Sequence, residues 1–299
     1  MGITQGASPL IFGEILFDIF PDGRVVLGGA PLNVAWHLRG FGQNPILISR
    51  IGRDRLGGEA LSIIADWGLD TSGVQIDSEH PTGSVCVVLD DGEPRYEIPA
   101  DQAFDFIDPD RAIEAIRGQK ISIFHHGTLA ARSRVSASAL NSFLSEVDCE
   151  VNLDLNLRSP WWNLGTIERL LRRADSVKLN ADELASLNFA DPTKTHIDRA
   201  RELRASFGNG LIVVTLGFHG AFAVTESEVV EAPASMMSDV IDTVGAGDAF
   251  TAVLILGIIQ NWPLEQVLIR AAEFAASICG VRGATTTDFA LYRSHLNRW

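Results

Sequence analysis

Asp242-Thr243-Val244-Gly245-Ala246-Gly247-Asp248-Ala249-Phe250 runs straight into Thr-Ala-Val-Leu-Ile-Leu-Gly-Ile-Ile. That continuation is apolar on every side and predicts a helix buried all round. Gly245 and Gly247 have no side chain to keep a ligand from the main chain. A glycine turn feeding a buried helix leaves its first backbone N–H groups free, with the positive end of the helix dipole behind them. Such an arrangement suits phosphate. Asp248 would repel the phosphate that these amides attract, so its position makes sense if it takes a proton from a hydroxyl attacking that phosphate. The same residues also read as a plain glycine turn with Asp248 as a favourable first-turn acid, and the spacing leaves both readings open. No G-x-x-x-x-G-K-[ST] occurs in the chain, and Gly245-x-Gly247 is followed by Phe250 rather than glycine. The P-loop and dinucleotide fingerprints are thereby excluded.

Working outward, strands alternate with helices from Pro109 onward. Strands are predicted over 121–124, 150–155, 176–179 and 211–215, and helices over 133–146, 165–173, 181–188 and 196–207. Short strands follow at 221–224 and 229–231, and a final helix at 263–279. This rhythm predicts an α/β fold: a doubly wound, mostly parallel sheet with helices on both faces. The first half differs. Segment 14–27, turning at Pro21-Asp22-Gly23, reads as a hairpin, and so does 84–98 around Asp90-Asp91-Gly92-Glu93. These two hairpins break the β-α-β rhythm and suggest a small separate sheet on one α/β domain spanning 1–299. Between them lie a helix over 34–38 ending near Gly40 or Gly42, a strand over 45–51, a loop over 52–57 and a helix over 59–67. Ligands of an open parallel sheet sit beyond the carboxyl ends of its strands. Asn156 and Arg158, Asn180 and Glu183, and Gly217 all follow such ends.

Composition narrows the function. The chain has 299 residues, 46% hydrophobic and 21% charged, with a formal net charge of −14. That balance argues against a nucleic-acid or membrane-surface partner, which would want a basic face, but a local amide nest still allows a phosphate-bearing substrate. Cys86, Cys149 and Cys279 form no C-x-x-C pair, so inert buried thiols in a reducing compartment are expected. Glu14 and Asp18 interrupt the first apolar run; no secretory signal or membrane span is expected, and the expected location is cytoplasmic. Gly28-Gly29 lets backbone approach a small ligand, and Asn33 offers donors and acceptors to hydroxyls, although Asn33 also reads as a helix N-cap. Asn180 to Glu183 reads as a capping box. His125 and His126, adjacent on a strand, point to opposite faces and do not suggest zinc.

Gly28-Gly29-Ala30-Pro31-x-Asn33-Val34-Ala35 and Asp242-Thr243-x-Gly245-Ala246-Gly247-Asp248-Ala249-Phe250 resemble the two signatures of the ribokinase-like (PfkB-type) carbohydrate kinases. The resemblance extends through Ile51-Gly52-x-Asp54, Asp154-x-Asn156-x-Arg158, Asn180-x-x-Glu183 and Thr215-x-Gly217, and is greatest to the fructokinase branch. It implies ATP-dependent transfer of the γ-phosphoryl group to a hydroxyl of a small sugar, fructose first. Asp248 would be the base, with the amides of Gly245, Ala246 and Gly247 as the anion hole. Asp18, Gly28, Gly29, Asn33 and Arg158 would bind the sugar. Asn180, Thr215, Gly217, Ala276, Ser277 and Gly283 would meet the nucleotide. Glu183 would help hold Mg²⁺ through water, and Asp242 would contribute to a monovalent-cation site such as one for K⁺. The hairpins at 14–27 and 84–98 would form a lid over the sugar, with an edge open to pairing as a homodimer. Ile98 departs from the fructokinase branch, which tends to carry a polar residue there, often asparagine. A nucleoside kinase with Tyr96, Phe104 or Phe106 as a stacking wall is the alternative substrate class. A non-catalytic sugar-binding regulator is the alternative outside enzymes.

Overall fold

The computed structural model describes residues 6–90, 93–187, 189, 193–235 and 240–299. Its main sheet has nine strands: β1 (Ser8–Phe12), β4 (Ile46–Gly52), β5 (Val74–Asp77), β8 (Ile121–His126), β9 (Glu150–Asp154), β10 (Ser176–Asn180), β11 (Leu211–Thr215), β12 (Ala221–Val224) and β13 (Val229–Ala232). Their order is β13-β12-β11-β10-β9-β8-β1-β4-β5. Every pairing from β11 to β5 is parallel, and only β12 and β13 run as an antiparallel edge.

Both faces are covered, as a parallel sheet requires. On one face α1 (Ala30–Gly40), α2 (Arg55–Asp66), α8 (Ala246–Gln260), α9 (Leu264–Cys279) and α10 (Phe289–Leu296) share an apolar core with Ile11, Ile123 and Val213. On the other, α3 (Pro109–Ala115), α4 (Arg134–Glu146), α5 (Leu164–Leu171), α6 (Ala181–Ser186) and α7 (His196–Phe207) pack on Phe12, Phe124, Leu153, Val177 and Val214. Ile123 and Phe124 fall into opposite cores, the period-two alternation of a strand buried on both sides. Helix α8 lies between the sheet and α1 and α9, which explains why it has no polar face.

A second sheet pairs β2 (Leu16–Ile19), β3 (Val25–Gly28), β6 (Gly83–Asp90) and β7 (Glu93–Glu97) in the order β3-β2-β6-β7. The two predicted hairpins do join, through a parallel β2–β6 contact. Asp91 and Gly92 of the second turn lie outside the described residues.

Several local expectations need correcting. Residues 9–20 divide between the two sheets at Gly13, whose φ is 157° and whose Cβ would stand 2.3 Å from Pro31. Helix α2 starts inside the predicted loop because Asp54 caps it, accepting from the Gly57 amide at 2.8 Å. The Asp54 carboxylate also accepts from the Thr82 amide and hydroxyl at 2.8 and 2.7 Å. The Gly52-x-Asp54 motif therefore fastens α2 to the start of β6. Strand β5 runs against its own apolar pattern: in Val74-Gln75-Ile76-Asp77 the polar Gln75 and Asp77 are buried and Ile76 is 44% exposed. Helix α9 is not the last: α10 follows, with Tyr292 fully buried against Gly40. Cys86 is exposed rather than buried, and all three cysteines are free.

Candidate active site

The loops at the carboxyl ends of β1, β9, β10 and β11 open toward the first turn of α8. Gly245 is the N-cap of α8 with φ 79°, and no side chain caps the start. A Cβ on Gly245 would come within 2.4 Å of the Ala284 Cα. Glycine is required there for its conformation and for space alike. The Ala246 amide donates weakly to the Thr243 carbonyl at 3.3 Å. Those of Gly245, Gly247 and Asp248 have no protein acceptor among the described residues, so the donors offered to an anion extend one residue past the predicted set.

Asp248, in the first turn, does not face those donors. Its Oδ2 accepts from the Asn33 Nδ2 at 2.7 Å. Asn33 is the fourth residue of α1 and 5% exposed, so it is not an N-cap; Gly29 holds that place. Its Oδ1 is buried without a partner among the described residues, an acceptor left over for a hydroxyl. Asp248 is half-buried as a residue, but its carboxyl is enclosed. Burial, with the Asp154 charge, pushes that carboxyl up to about 6, against the Asn33 hydrogen bond, Lys178 and Arg158.

Asp18, on β2, is half-buried, and burial raises its carboxyl above the ordinary range against the pull of Arg158. Gly28 lies beside it: a Cβ there would be 3.3 Å from the Asp18 Oδ2. Arg158 is exposed and favours the ionised forms of Glu14, Asp18 and Asp248. Glu14, whose charge breaks the first apolar run of the sequence, is 4% exposed; burial pushes it up to about 7.

Asn180 and Glu183 form the expected capping box at α6, with both bonds at 2.8 Å. The other Glu183 oxygen accepts from the Leu157 amide at 2.8 Å, linking the loops after β9 and β10. Both oxygens are thus engaged by backbone, and among the described residues no group of three His, Cys, Asp or Glu could hold a metal. This donor set fits Mg²⁺ carried mainly by water and phosphate, with Glu183 at second remove. Asp242 accepts from the Val244 amide at 3.0 Å and the Gly283 amide at 3.1 Å.

Thr215, Gly217, Thr243, Ala246, Gly247, Phe250 and Ala276 line a cleft of about 330 Å³, and Phe218, 66% exposed, stands at its rim. Two roomier hollows, about 520 Å³ between α4 and α5 and about 440 Å³ at the amino ends of β9 and β11, contain none of the predicted residues. Ser277 and Gly283 do not line the cleft. The Ser277 hydroxyl instead donates to the Glu273 carbonyl, 3.0 Å away, and lies 3.0 Å from the His295 Nε2. His125 and His126 are both buried, and burial lowers both, His126 to about 4. His125 Nδ1 meets the Asn152 Oδ1 at 2.8 Å. Phe104 is fully buried, Phe106 stacks on His80, and the Tyr96 side chain lies outside what is described.

A cleft beside an uncapped helix start, an acid turned from it toward Asn33, and a small sheet alongside give this site its form. The pfkB family carbohydrate kinase model matches residues 19–289. The chain belongs to that family. A fructokinase of Klebsiella pneumoniae is 30% identical over 96% of this chain and 97% of its own length. Among solved structures, a fructokinase from Xylella fastidiosa with bound ATP aligns with a TM-score of 0.86 at 23% identity, covering 97% of this chain and 98% of that one. An aminoimidazole riboside kinase from Salmonella enterica aligns at 0.81 and 23%, covering 97% and 99%. These two likenesses bear on the fold. The chain is a sugar kinase of the pfkB family, fructokinase-like in sequence. No described helix is long and apolar enough to cross a membrane.

Proposed function

We propose that the protein transfers the γ-phosphoryl group of ATP to a hydroxyl of a small free sugar, with fructose as the first candidate. The observation that carries this is the Asp248–Asn33 contact at the mouth of the α8 start. It sets a carboxylate and a hydroxyl-binding amide beside unsatisfied amides that suit phosphate. In the reaction, the sugar oxygen forms a bond to the γ-phosphorus, the bond to the ADP oxygen breaks, and Asp248 receives the hydroxyl proton. Phosphoryl transfer passes through a loose transition state, so orienting the hydroxyl matters more than deprotonating it early. A carboxylate pushed up to about 6 is adequate for that. The amides of Gly245, Ala246, Gly247 and Asp248 would stabilise the phosphoryl oxygens.

Asp18, Asn33 and Arg158 would bind sugar hydroxyls beside the Gly28-Gly29 backbone. Thr215, Gly217 and Ala276 would wall the nucleotide. Bound Mg²⁺ would neutralise phosphate charge, with Glu183 and Asn180 orienting its water shell. Asp242, whose oxygens tie residues 244 and 283 together, would frame a monovalent cation. The four-stranded sheet, built from segments 14–27 and 84–98, would act as the lid of one kinase domain. Its strand β3 leaves Val25 and Val26 more than a third exposed, and a homodimer through that sheet would cover them.

The fructose assignment draws on the Klebsiella pneumoniae likeness. Ile98 does not argue against it on packing grounds: it is half-buried against the core, and its carbonyl accepts from the Trp161 Nε1 at 3.1 Å. With Phe104 and Phe106 engaged elsewhere, an aromatic wall for a nucleoside base would rest on Tyr96 alone. ADP release measured with ATP and Mg²⁺ across free sugars and nucleosides tests the proposal. Turnover confined to a nucleoside would replace the substrate class, and ATP binding without turnover on any acceptor would favour a regulator.

A further inference from the structure

On strands β9 and β10, the face toward α8 is polar where the opposite face is apolar. Val151, Leu153, Val177 and Leu179 pack into the far core, which leaves Asn152, Asp154, Ser176 and Lys178 on the α8 side. Lys178 stands directly across from Asp154 in the parallel register. Its Nζ lies 3.2 and 3.0 Å from the two Asp154 oxygens, and the Thr251 hydroxyl, on α8, lies 2.8 Å from the second of them. The side chains of Lys178 and Asp154 are 8% and 4% exposed. A buried ion pair contributes little net stability compared with apolar residues of similar size, so stability alone does not account for it.

Two geometric facts point to the cleft. Asp154 engages two of the three Nζ donors, and no other protein acceptor meets the ammonium among the described residues. A Cβ on Gly247 would stand only 3.1 Å from the Nζ. The ammonium therefore lies against the residue whose exposed backbone opens the phosphate-facing turn of α8. Charge makes the same demand. Burial works against the Lys178 charge, yet Asp154, Glu183 and Asp248 together hold it above its ordinary range. A phosphate entering among those carboxylates without the lysine would meet net repulsion.

We propose that Lys178 is a fixed cation of the phosphate cradle, held by Asp154 and reaching past Gly247 to the transferring phosphoryl group. The alternative is that Lys178 only neutralises Asp154. Lys178→Met and the double variant Lys178→Met/Asp154→Asn separate these. The single variant leaves Asp154 buried and unpaired and risks misfolding; the double variant carries no such charge, and a thermal melt reports whether it folds. If Lys178 serves the phosphoryl group, the double variant loses about 10²–10³-fold in kcat, while the sugar KM stays within about threefold. Its preference for ATP over ADP, read by calorimetry without any acceptor, falls about tenfold. A double variant with kcat within about threefold of the unsubstituted protein, or with an unchanged ATP-to-ADP ratio, overturns the proposal. The binding ratio stands even if the acceptor sugar proves to be other than fructose.

Discussion

Helices α1 and α8 both begin after a glycine of positive φ, 112° at Gly29 and 79° at Gly245, and neither start has a side-chain cap. Their uses differ because their surroundings differ. At α1, Pro31 removes one donor, and Glu14 lies at the helix end, where the Ala30 amide favours its ionised form. That dipole end is answered from within by a protein carboxyl. At α8 the one first-turn acid, Asp248, bonds to Asn33 instead, and the amides remain for an outside anion. Whether a glycine-led helix start receives phosphate thus depends on whether the protein already supplies its anion.

The sharpest way to break this contrast is Asp248→Asn. It should cost about 10³-fold or more in kcat while calorimetric binding of ATP and sugar persists. Turnover near that of the unsubstituted protein would remove Asp248 as the base. Next, alanine at the two glycines should separate the sites. Gly245→Ala, strained in φ and blocked by Ala284, should raise the KM for ATP and lower kcat. Gly29→Ala, whose Cβ would stand 2.5 Å from the Glu14 carbonyl, should raise the sugar KM first. Each should also lower the melting temperature through roughly 1–3 kcal/mol of backbone strain. The same kinetic pattern in both variants would erase the distinction.

A subtler effect is expected in the pH profile. Asp248 must be ionised to accept a proton, so kcat/KM should fall as pH drops through about 6. The Asn33 hydrogen bond favours the ionised form, so Asn33→Ala should move that acidic limb to higher pH. An unmoved limb would separate Asn33 from the titrating group. Smallest of all should be Ile98→Asn, whose position is already held by its main-chain bond to Trp161. A few-fold change in the fructose KM is expected, and a change of 100-fold would mean that residue 98 reaches the sugar.

Much of the architecture was legible in local pattern. The regular exchange of apolar strands and helices after Pro109 predicted the parallel sheet, and the turn residues of 14–27 and 84–98 predicted the second one. The elements missed are informative. Strand β5 pairs, among the described residues, only with β4 at a sheet edge, where it buries Gln75 and Asp77 and exposes Ile76, so its apolar residues do not mark its inner face. Helix α10 is short and is fastened chiefly by Tyr292, whose neighbours Gly40 and His37 are some 250 positions away in the chain. The Asn180–Glu183 box was legible because both partners lie within one helical turn.

Spacing along the chain carries the fold class, the glycine-led turn with Asp248 inside it, and the strand ends beside which Asn180, Glu183 and Thr215 stand. Each of these is written in spacing, which backbone periodicity converts into place. What those residues face depends on how the distant parts of the chain pack together. That packing turned Asp248 toward an asparagine 215 positions away, engaged both Glu183 oxygens with backbone, and placed Ser277 beside His295 rather than in the cleft. It also set a lysine, unremarkable in the strand pattern, beneath Gly247. Charge, burial and hydrogen bonding act through space, and residues far apart in the chain share that space only once the sheet and its helices have closed around them.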